Sequence, residues 1–196
     1  MEDGANDFQA SEAELVAQAG HDQAAFGILY ERYAGKIYNY IYYRTGNHHD
    51  AEDLTARTFQ RALSSIGRYK QRGAPFSAWL YRIAHNLVAN WYRDRSRRRV
   101  IALDDVELST HHNAPEPTAE RNETRRRLLA IIRRLPPERQ DLLILKFVER
   151  MSNTEIGRIL GRSEGAIKSL YHRTLLALRD ELEATAWESE LSEWNA

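Results

Sequence analysis

The sequence contains no cysteine, which excludes disulfide bonds, zinc sites with cysteine ligands and thiol-based redox sensing. It has no apolar run long enough to span a bilayer, which takes about 20 residues, and its amino terminus lacks the pattern of a signal peptide. We therefore expect a cytoplasmic protein with no direct insertion into a membrane. At 196 residues, the chain can form one domain or two small ones.

The residue patterns of catalysis are also missing, since no nucleophile–base pair, glycine-rich phosphate loop or set of metal ligands is visible. The doubled histidines His48-His49 and His111-His112 come closest to a metal site. Neighbouring residues on a helix cannot both face one ion, however, and no further ligand follows at the usual spacing. We therefore expect neither an enzyme nor a site for a metal, a cofactor or a small-molecule substrate.

The net charge is zero, but the charges are segregated along the chain. Residues 68–99 carry nine basic residues against one acid, and residues 121–179 carry fourteen against six. The first sixty residues have ten acids and four bases, whereas residues 180–196 have six acids and no base. Two basic blocks between acidic ends predict two separate contacts with a polyanion. The acidic ends are then expected to face other surfaces.

The first basic block contains the sequence PFSAWLYRIAHNLVANWYRDRSRRR at residues 75–99. Its apolar residues recur with the spacing of one helix face, namely Trp79, Leu80, Ile83, Leu87 and Val88. The other positions carry aromatic, amide and arginine side chains, namely Tyr81, Arg82, Asn86, Asn90, Trp91, Tyr92 and Arg93. Aromatic rings stack on unpaired bases and arginines neutralise phosphates, so this pattern favours a groove for single-stranded nucleic acid. The alternative is a core helix followed by a solvated run of charge.

Earlier helices complete a first helical domain. Ser11 and Glu14 form a possible capping box for a short helix, and a long helix begins after Asp22 and is broken by Thr45-Gly46-Asn47. The apolar stripe of that long helix comprises Phe26, Leu29, Tyr30, Tyr33, Ile37, Tyr40 and Ile41. A third helix over residues 50–66 has acids crowded into its first turn, where the helix dipole favours negative charge. The dipole does not explain why so acidic a patch lies beside a basic helix, so a basic protein partner remains an alternative.

A second helical unit follows residues 100–119, which lose all periodicity and are typical of a linker. The pattern predicts a helix over residues 120–134, another from Pro137 to about Val148, and a short one from Thr154 to Leu160. The sequence Gly161-Arg162-Ser163 then turns the chain before a longer helix that runs to about Leu182.

This arrangement is typical of a helix-turn-helix, in which a tight turn presents the second helix to the major groove of DNA. The inward positions of that second helix are Ile167, Tyr171, Thr174 and Leu178. Its outward positions are Gly165, Lys168, Ser169 and His172, flanked by Arg173. Helical hairpins of other function share this outline, but its combination with a basic, aromatic first unit favours DNA binding.

The two units together resemble the extracytoplasmic-function group of bacterial RNA polymerase sigma factors. The resemblance rests on DAEDLTARTFQRA at 50–62, FSAWLYRIAHNLVANWYRDRSRRR at 76–99 and LPPERQDLLILKFVERMSNTEIGRILGRSEGAIKSLYHR at 135–173. It implies an all-α fold in which two small helical domains are joined by a flexible linker. The implied division is an N-terminal segment at 1–20, sigma region 2 at 21–99, the linker at 100–119, sigma region 4 at 120–182 and an acidic tail at 183–196.

The resemblance also implies three groups of site residues. Docking on the clamp of the largest polymerase subunit would use Asp50, Glu52, Asp53 and Leu54. The −10 promoter element would be held by Tyr69, Lys70, Gln71, Arg72, Trp79, Arg82, Asn86, Asn90 and Arg93. The −35 element would be read by Ser163, Glu164, Gly165, Lys168, Ser169, His172 and Arg173. Leu170 stands where the family often has arginine, so it either packs on a neighbour or touches a thymine methyl.

The function implied is that of an alternative sigma factor, which binds core RNA polymerase and directs it to promoters. Its partners would be the clamp and the flap of the polymerase, promoter DNA and an anti-sigma factor. One other function remains open, because a stand-alone helix-turn-helix regulator with a helical sensor domain would also bind DNA. An RNA-binding protein or a mimic of an anti-sigma partner would leave the helix-turn-helix unexplained.

The acidic tail carries an apolar stripe formed by Trp187, Leu191 and Trp194. Six acids from Asp180 to Glu193 face two arginine-rich surfaces, and the stripe needs an apolar surface to cover it. One interpretation is that the tail holds the two DNA-binding domains together and so inhibits them. The other is an ordinary terminal helix that packs only on the second domain.

Overall fold

The computed structural model describes residues 11–69, 75–99 and 131–194, with side chains given up to Ser96 in the second range and up to Glu183 in the third. The first half comprises α1 (Glu12–Gln18), α2 (Gln23–Thr45), α3 (His48–Ser65), a 3₁₀ turn (Ile66–Arg68) and α4 (Phe76–Arg99). The second half begins with a helical turn at 131–134 and continues with α5 (Pro137–Leu143), a π-helical turn (Ile144–Val148), α6 (Asn153–Leu160) and α7 (Glu164–Trp194). The described part contains no β-strand, which confirms the all-α fold. The predicted linker lies outside the described residues.

Local capping sets the helix boundaries. Ser11 and Glu14 form the predicted capping box before α1. The side chain of Asp22 accepts a hydrogen bond from the backbone N–H of Ala24 at 2.8 Å, and so begins α2. That helix ends at Gly46, whose φ of 70° is a left-handed conformation that glycine adopts without steric strain. The sequence therefore predicted these boundaries correctly.

The core of the first half lies where α2, α3 and α4 meet. Fully buried side chains come from all three helices, namely Leu29, Ile37, Ile41, Leu54, Ala62, Leu80 and Leu87. Tyr30 was predicted to lie on the apolar stripe of α2, but its side chain is 46% exposed and lies outside this core. Its ring instead packs edge-on against Phe59, with 4.7 Å between the ring centroids.

The helix-turn-helix of the second half depends on two glycines. A Cβ atom at Gly157 would lie 2.6 Å from the carbonyl oxygen of Arg162, so only glycine allows the turn to approach α6 this closely. Gly161 ends α6 with a φ of 69°. The hydroxyl of Ser163 then accepts a hydrogen bond from the N–H of Ala166 at 3.2 Å and begins α7. This helix continues past Leu182, its predicted end, to Trp194.

The two halves pack directly against each other, a relationship that the sequence did not predict. α4 lies against α6, and one hydrophobic core runs through both halves. Tyr81 was predicted to lie off the apolar face of α4, but it is only 1% exposed. Its ring packs edge-on against that of Tyr40 within this shared core. The prediction failed because the second half covers a face of α4 that would be polar surface in a separate domain.

Two further expectations bear on membranes and on the acidic tail. No described helix is both long enough and apolar enough to cross a membrane. The backbone of the tail continues α7 as a helix, and its side chains after Glu183 lie outside the described residues. The suggested regulatory role of the tail therefore stays a prediction.

Candidate nucleic-acid interface

The outer face of α4 presents the predicted single-strand-binding side chains to solvent. Arg82, Asn86 and Arg93 are exposed, and Asn90 is half-buried. Their spacing of three or four residues places them along one stripe of the helix. Because the opposite faces of α4 are buried in the core, this stripe is held rigidly and its arginines and amides remain available to a ligand.

Trp79 lies at the start of this stripe, within an aromatic cluster. Its ring centroid is 4.8 Å from that of Tyr69 and 5.5 Å from that of Phe76. Burial raises the pKa of the Tyr69 hydroxyl, so this residue stays neutral. The cluster fixes both ends of the loop before α4, although Lys70, Gln71 and Arg72 themselves lie outside the described residues. Trp79 is therefore half-buried and packs on the described residues Tyr69 and Phe76.

Two α4 residues that the sequence did not assign to a site contact the acidic start of α3. The indole N–H of Trp91 donates a hydrogen bond to Oδ1 of Asp50 at 3.2 Å. A guanidinium nitrogen of Arg95 lies 3.8 Å from Oδ2 of the same carboxylate, and the guanidinium carbon lies 5.1 Å from the centre of the Trp91 ring. These three side chains line a cavity of about 280 Å³ together with Asn90. The sequence shows the aromatic residues around Trp91, but it does not show that Trp91 contacts Asp50 of α3.

The remaining acids of α3 form an exposed patch. Glu52 and Asp53 both face solvent. Asp53 lies 3.5 Å from Arg57, but the two side chains are 59% and 51% exposed, so the pair is weak and easily exchanged for another partner. Leu54 was included in the predicted contact and is only 1% exposed. It cannot touch a partner, because it lies on the inward face of α3 and anchors that helix in the core.

The outer face of α7 presents the second predicted site. Ser163, Gly165, Ser169, His172 and Arg173 are all exposed at the start of this helix. The sequence therefore placed the outward face correctly. A helix face of this kind, without large apolar side chains, matches the major groove in shape.

Charge on this face is partly compensated within the protein. The carboxylate of Glu164 accepts hydrogen bonds from Lys168 at 2.8 Å and from the hydroxyl of Thr154 at 2.9 Å. These contacts lower the pKa of Glu164, with the Lys168 bond as the largest cause. Lys168 is therefore paired with a carboxylate of its own helix in this structure.

Leu170 packs into the protein and does not face DNA. Its side chain is 7% exposed and belongs to the hydrophobic core, together with Ile167. Of the two alternatives that the sequence left open for this position, the structure therefore selects packing on a neighbour.

Models of one protein family match the two segments of the chain that carry these surfaces. A model of sigma-70 region 2 matches residues 29–98, and a model of sigma-70 region 4 matches residues 125–178. The ECF RNA polymerase sigma factor BldN of Streptomyces coelicolor is 40% identical over 167 residues, which cover 84% of this chain and 63% of that protein. The chain thus spans less than two thirds of BldN. The ECF RNA polymerase sigma factor SigW of Bacillus subtilis is 33% identical over 172 residues, which cover 82% of this chain and 90% of that protein.

The fold is also similar to a solved structure. The sigma factor RpoE from Bartonella quintana, solved in complex with the anti-sigma factor NepR, aligns with a TM-score of 0.68 and 21% identity. The alignment covers 81% of this chain and 96% of that one.

Proposed function

This chain belongs to the extracytoplasmic-function group of RNA polymerase sigma factors, and we propose that it binds core RNA polymerase and directs it to specific promoters. The observation that carries the proposal is a pair of exposed helix faces, which carry arginine and asparagine side chains on α4 and lysine, arginine, serine and histidine side chains on α7. One face lies in the segment matched by sigma region 2 and the other in the segment matched by region 4. The polymerase performs the chemistry, and this chain, which is not an enzyme, supplies promoter specificity in the cytoplasm.

α4 and the loop before it would bind the −10 element and hold its strands apart. Unstacking a base costs a few kcal/mol, and stacking on an aromatic side chain returns about 1–3 kcal/mol per base. Arg82 and Arg93 are exposed and can neutralise the phosphates of the captured strand. Asn86 and Asn90, on the same stripe, carry amides that can hydrogen-bond to base edges. Melting would thus result from capture of the open strand.

α7 would read the −35 element in the major groove. Gly165 and Ser169 lie near the start of this helix, where a recognition helix contacts base edges. Lys168 and Arg173 flank them and would contact phosphates, which position the helix without reading sequence. His172 can donate or accept a hydrogen bond at the same surface. Recognition of the two elements would therefore be divided between the two halves.

Contact with the polymerase would involve acidic residues of α3. Asp50, Glu52 and Asp53 lie in the first two turns of this helix, and the last two are exposed. They would dock on the clamp of the largest subunit, whereas region 4 would bind the flap of the second-largest subunit. An anti-sigma factor is a further proposed partner, because the similar RpoE structure contains the anti-sigma factor NepR.

The experiment that tests this function measures promoter binding with and without core polymerase. A sigma factor should bind promoter duplex weakly by itself and should form a salt-resistant, opened complex once core polymerase is added. Permanganate reactivity of unpaired thymines at the −10 element reports the opening. Tight and specific binding in the absence of polymerase, with no opening upon its addition, would instead indicate a stand-alone helix-turn-helix regulator.

A further inference from the structure

A cavity of about 280 Å³ lies between α3 and the carboxyl-terminal half of α4. Leu87 is buried in the core, whereas Arg57 and Asp94 are exposed, so the cavity runs from the core to the solvent. A water molecule takes up about 30 Å³, so the cavity has room for about nine, which is comparable with a single nucleobase. The residues that line it are Asp50, Arg57, Leu87, Asn90, Trp91, Asp94 and Arg95.

The charges around this cavity balance. Its lining contains two carboxylates, those of Asp50 and Asp94, and two guanidinium groups, those of Arg57 and Arg95. An anion such as a phosphate would be repelled by the first pair, and a cationic side chain would be repelled by the second. The cavity therefore suits a neutral, polar ligand better than an ion.

One wall of the cavity is a flat surface that is held in place by its neighbours. The guanidinium carbon of Arg95 lies 5.1 Å from the centre of the Trp91 ring. The indole N–H of Trp91 is fixed by Oδ1 of Asp50 at 3.2 Å, and the Tyr92 ring packs edge-on against the indole with 4.8 Å between the centroids. Nucleobases stack on aromatic rings and on guanidinium planes. The indole and the guanidinium therefore offer a stacking surface that is already in position.

Asn90 and Asp94 supply the hydrogen-bonding groups of the cavity. Among the residues that the structure describes, neither side chain has a hydrogen-bond or ion-pair partner. The Asn90 amide both donates and accepts, whereas the Asp94 carboxylate only accepts. Asparagine matches N6 and N7 of adenine, and a carboxylate matches the exocyclic amine of cytosine. Both side chains therefore favour a base that carries an exocyclic amine.

The cavity adjoins the strand-binding stripe of α4. Asn90 belongs to both, and Arg93 of the stripe follows it by about one helical turn. Phe76, where α4 begins after the predicted base-binding loop, precedes Asn90 by 14 residues, or roughly 21 Å along the helix. A strand that lies along the stripe would thus reach the cavity several nucleotides away from that loop.

We propose that this cavity captures one extruded base of the opened promoter strand, and that this base carries an exocyclic amine. The inference rests on the proposed function, because only an opened promoter offers an unpaired base. Trp91 and Arg95 stack on the base, while Asn90 and Asp94 hydrogen-bond to its edge. The cavity is a second base site, separate from the loop before α4, and it makes Asn90 a residue that selects a base.

The test deletes the base and the side chain separately and together. The chain, assembled with core polymerase, is bound to a premelted promoter from which single bases of the open strand are removed, one position at a time. Removing the captured base should weaken binding on the order of tenfold. Asn90→Leu, which keeps the size of the side chain but removes its donor and acceptor, should weaken binding to the intact strand several-fold. In that variant, removing the same base should have a much smaller effect.

Matched variants separate base capture from general effects. Asn39 is exposed on α2 and does not line the cavity, so Asn39→Leu should leave the effect of every base removal unchanged. Asp94→Ala changes an exposed position, and its melting temperature should equal that of the parent, so it keeps the test decisive even where Asn90→Leu impairs folding. An analogue of the captured base without its amine should weaken binding to the parent several-fold and binding to Asp94→Ala much less.

Each alternative gives a different outcome. Coupling of one amine-bearing base to both side chains confirms the site. If promoter binding and opening are retained but no base position is coupled to Asn90 or Asp94, the cavity does not hold a base and the proposed function stands. If Asn90→Leu weakens the binding of core polymerase in the absence of DNA, a polymerase side chain occupies the cavity instead. If the chain and core polymerase bind neither duplex nor premelted promoters, the inference and the proposed function both fail.

Discussion

The indole N–H of Trp91 donates a hydrogen bond to Oδ1 of Asp50, 3.2 Å away, and so ties the predicted strand-binding helix to the predicted polymerase-binding patch. Arg95 lies against the same carboxylate and over the same ring. Any partner that engages Asp50 therefore changes the surroundings of two α4 side chains that line a cavity together with Asn90. The proposed polymerase-binding patch and the proposed strand-binding helix are therefore physically linked at this residue.

Asp50→Ala should destabilise the fold by about 1 kcal/mol, because it removes the hydrogen bond to Trp91 and the partner of Arg95. It should also slow promoter opening more than Glu52→Ala, which leaves Trp91 in place. Thermal unfolding checks the first effect, and permanganate reactivity at saturating polymerase checks the second. Identical opening rates for the two variants would show that Asp50 acts only in docking.

Loop variants test the melting role of the segment before α4. Replacing Lys70 and Gln71 with Ala should lower complex formation on duplex promoters more than on premelted ones, because a premelted template no longer requires a base to be unstacked. Arg61→Ala, on the exposed face of α3, serves as a basic surface control. An equal loss on both templates would count against melting by this loop.

Salt dependence tests the phosphate contacts of α7. Lys168→Ala and Arg173→Ala should each reduce the slope of log binding constant against log salt by about one. Glu164→Gln should have the opposite effect on affinity, because it frees Lys168 from the carboxylate that holds it at 2.8 Å. Gly165 and Ser169 variants should instead change the selected −35 sequence. Unchanged sequence selection in those variants would contradict their placement at base edges.

Glu149 gives the structure a specific pH dependence. Burial raises the pKa of this carboxyl, and the Tyr81 hydroxyl and Lys36 only partly oppose the shift. Because the folded state favours the protonated form, this group adds stability as pH falls through its raised pKa toward the ordinary value of 4.5. Above the raised pKa, the buried charge is destabilising.

Glu149→Gln should therefore raise the melting temperature at pH 8 and change it less at pH 5. The difference between variant and parent isolates this residue from carboxyls such as Glu14, whose pKa is lowered and whose pH dependence has the opposite sign. A variant less stable than the parent at pH 8 would contradict burial as the dominant cause.

Much of this architecture could be predicted from local sequence. Asp22, Gly46 and Ser163 mark helix ends through their own backbone chemistry, and the structure places them there. The outward positions of α7 could be predicted from the helical spacing of its apolar residues. Such signals are local, so they do not require knowledge of any tertiary contact.

The contacts between halves could not be predicted in this way. The prediction for Tyr81 was wrong because the spacing of apolar residues shows which face of a helix can be buried. It does not show that a distant segment of the chain covers another face. Arg44 and Asp141 are residues that usually lie at the surface, and 97 positions separate them in the chain. Their burial depends on mutual pairing, which a single sequence does not reveal.

Transcription in vitro tests whether this chain gives core RNA polymerase its promoter specificity. Core RNA polymerase with and without this chain would be supplied with a library of promoters in which the −10 and −35 regions are randomised, and the start sites of the transcripts sequenced. We expect transcripts only in the presence of the chain, all sharing a −10 and a −35 sequence, with the −35 preference altered by Ser169→Ala. Transcripts that do not depend on the chain, or that share neither sequence, would contradict it.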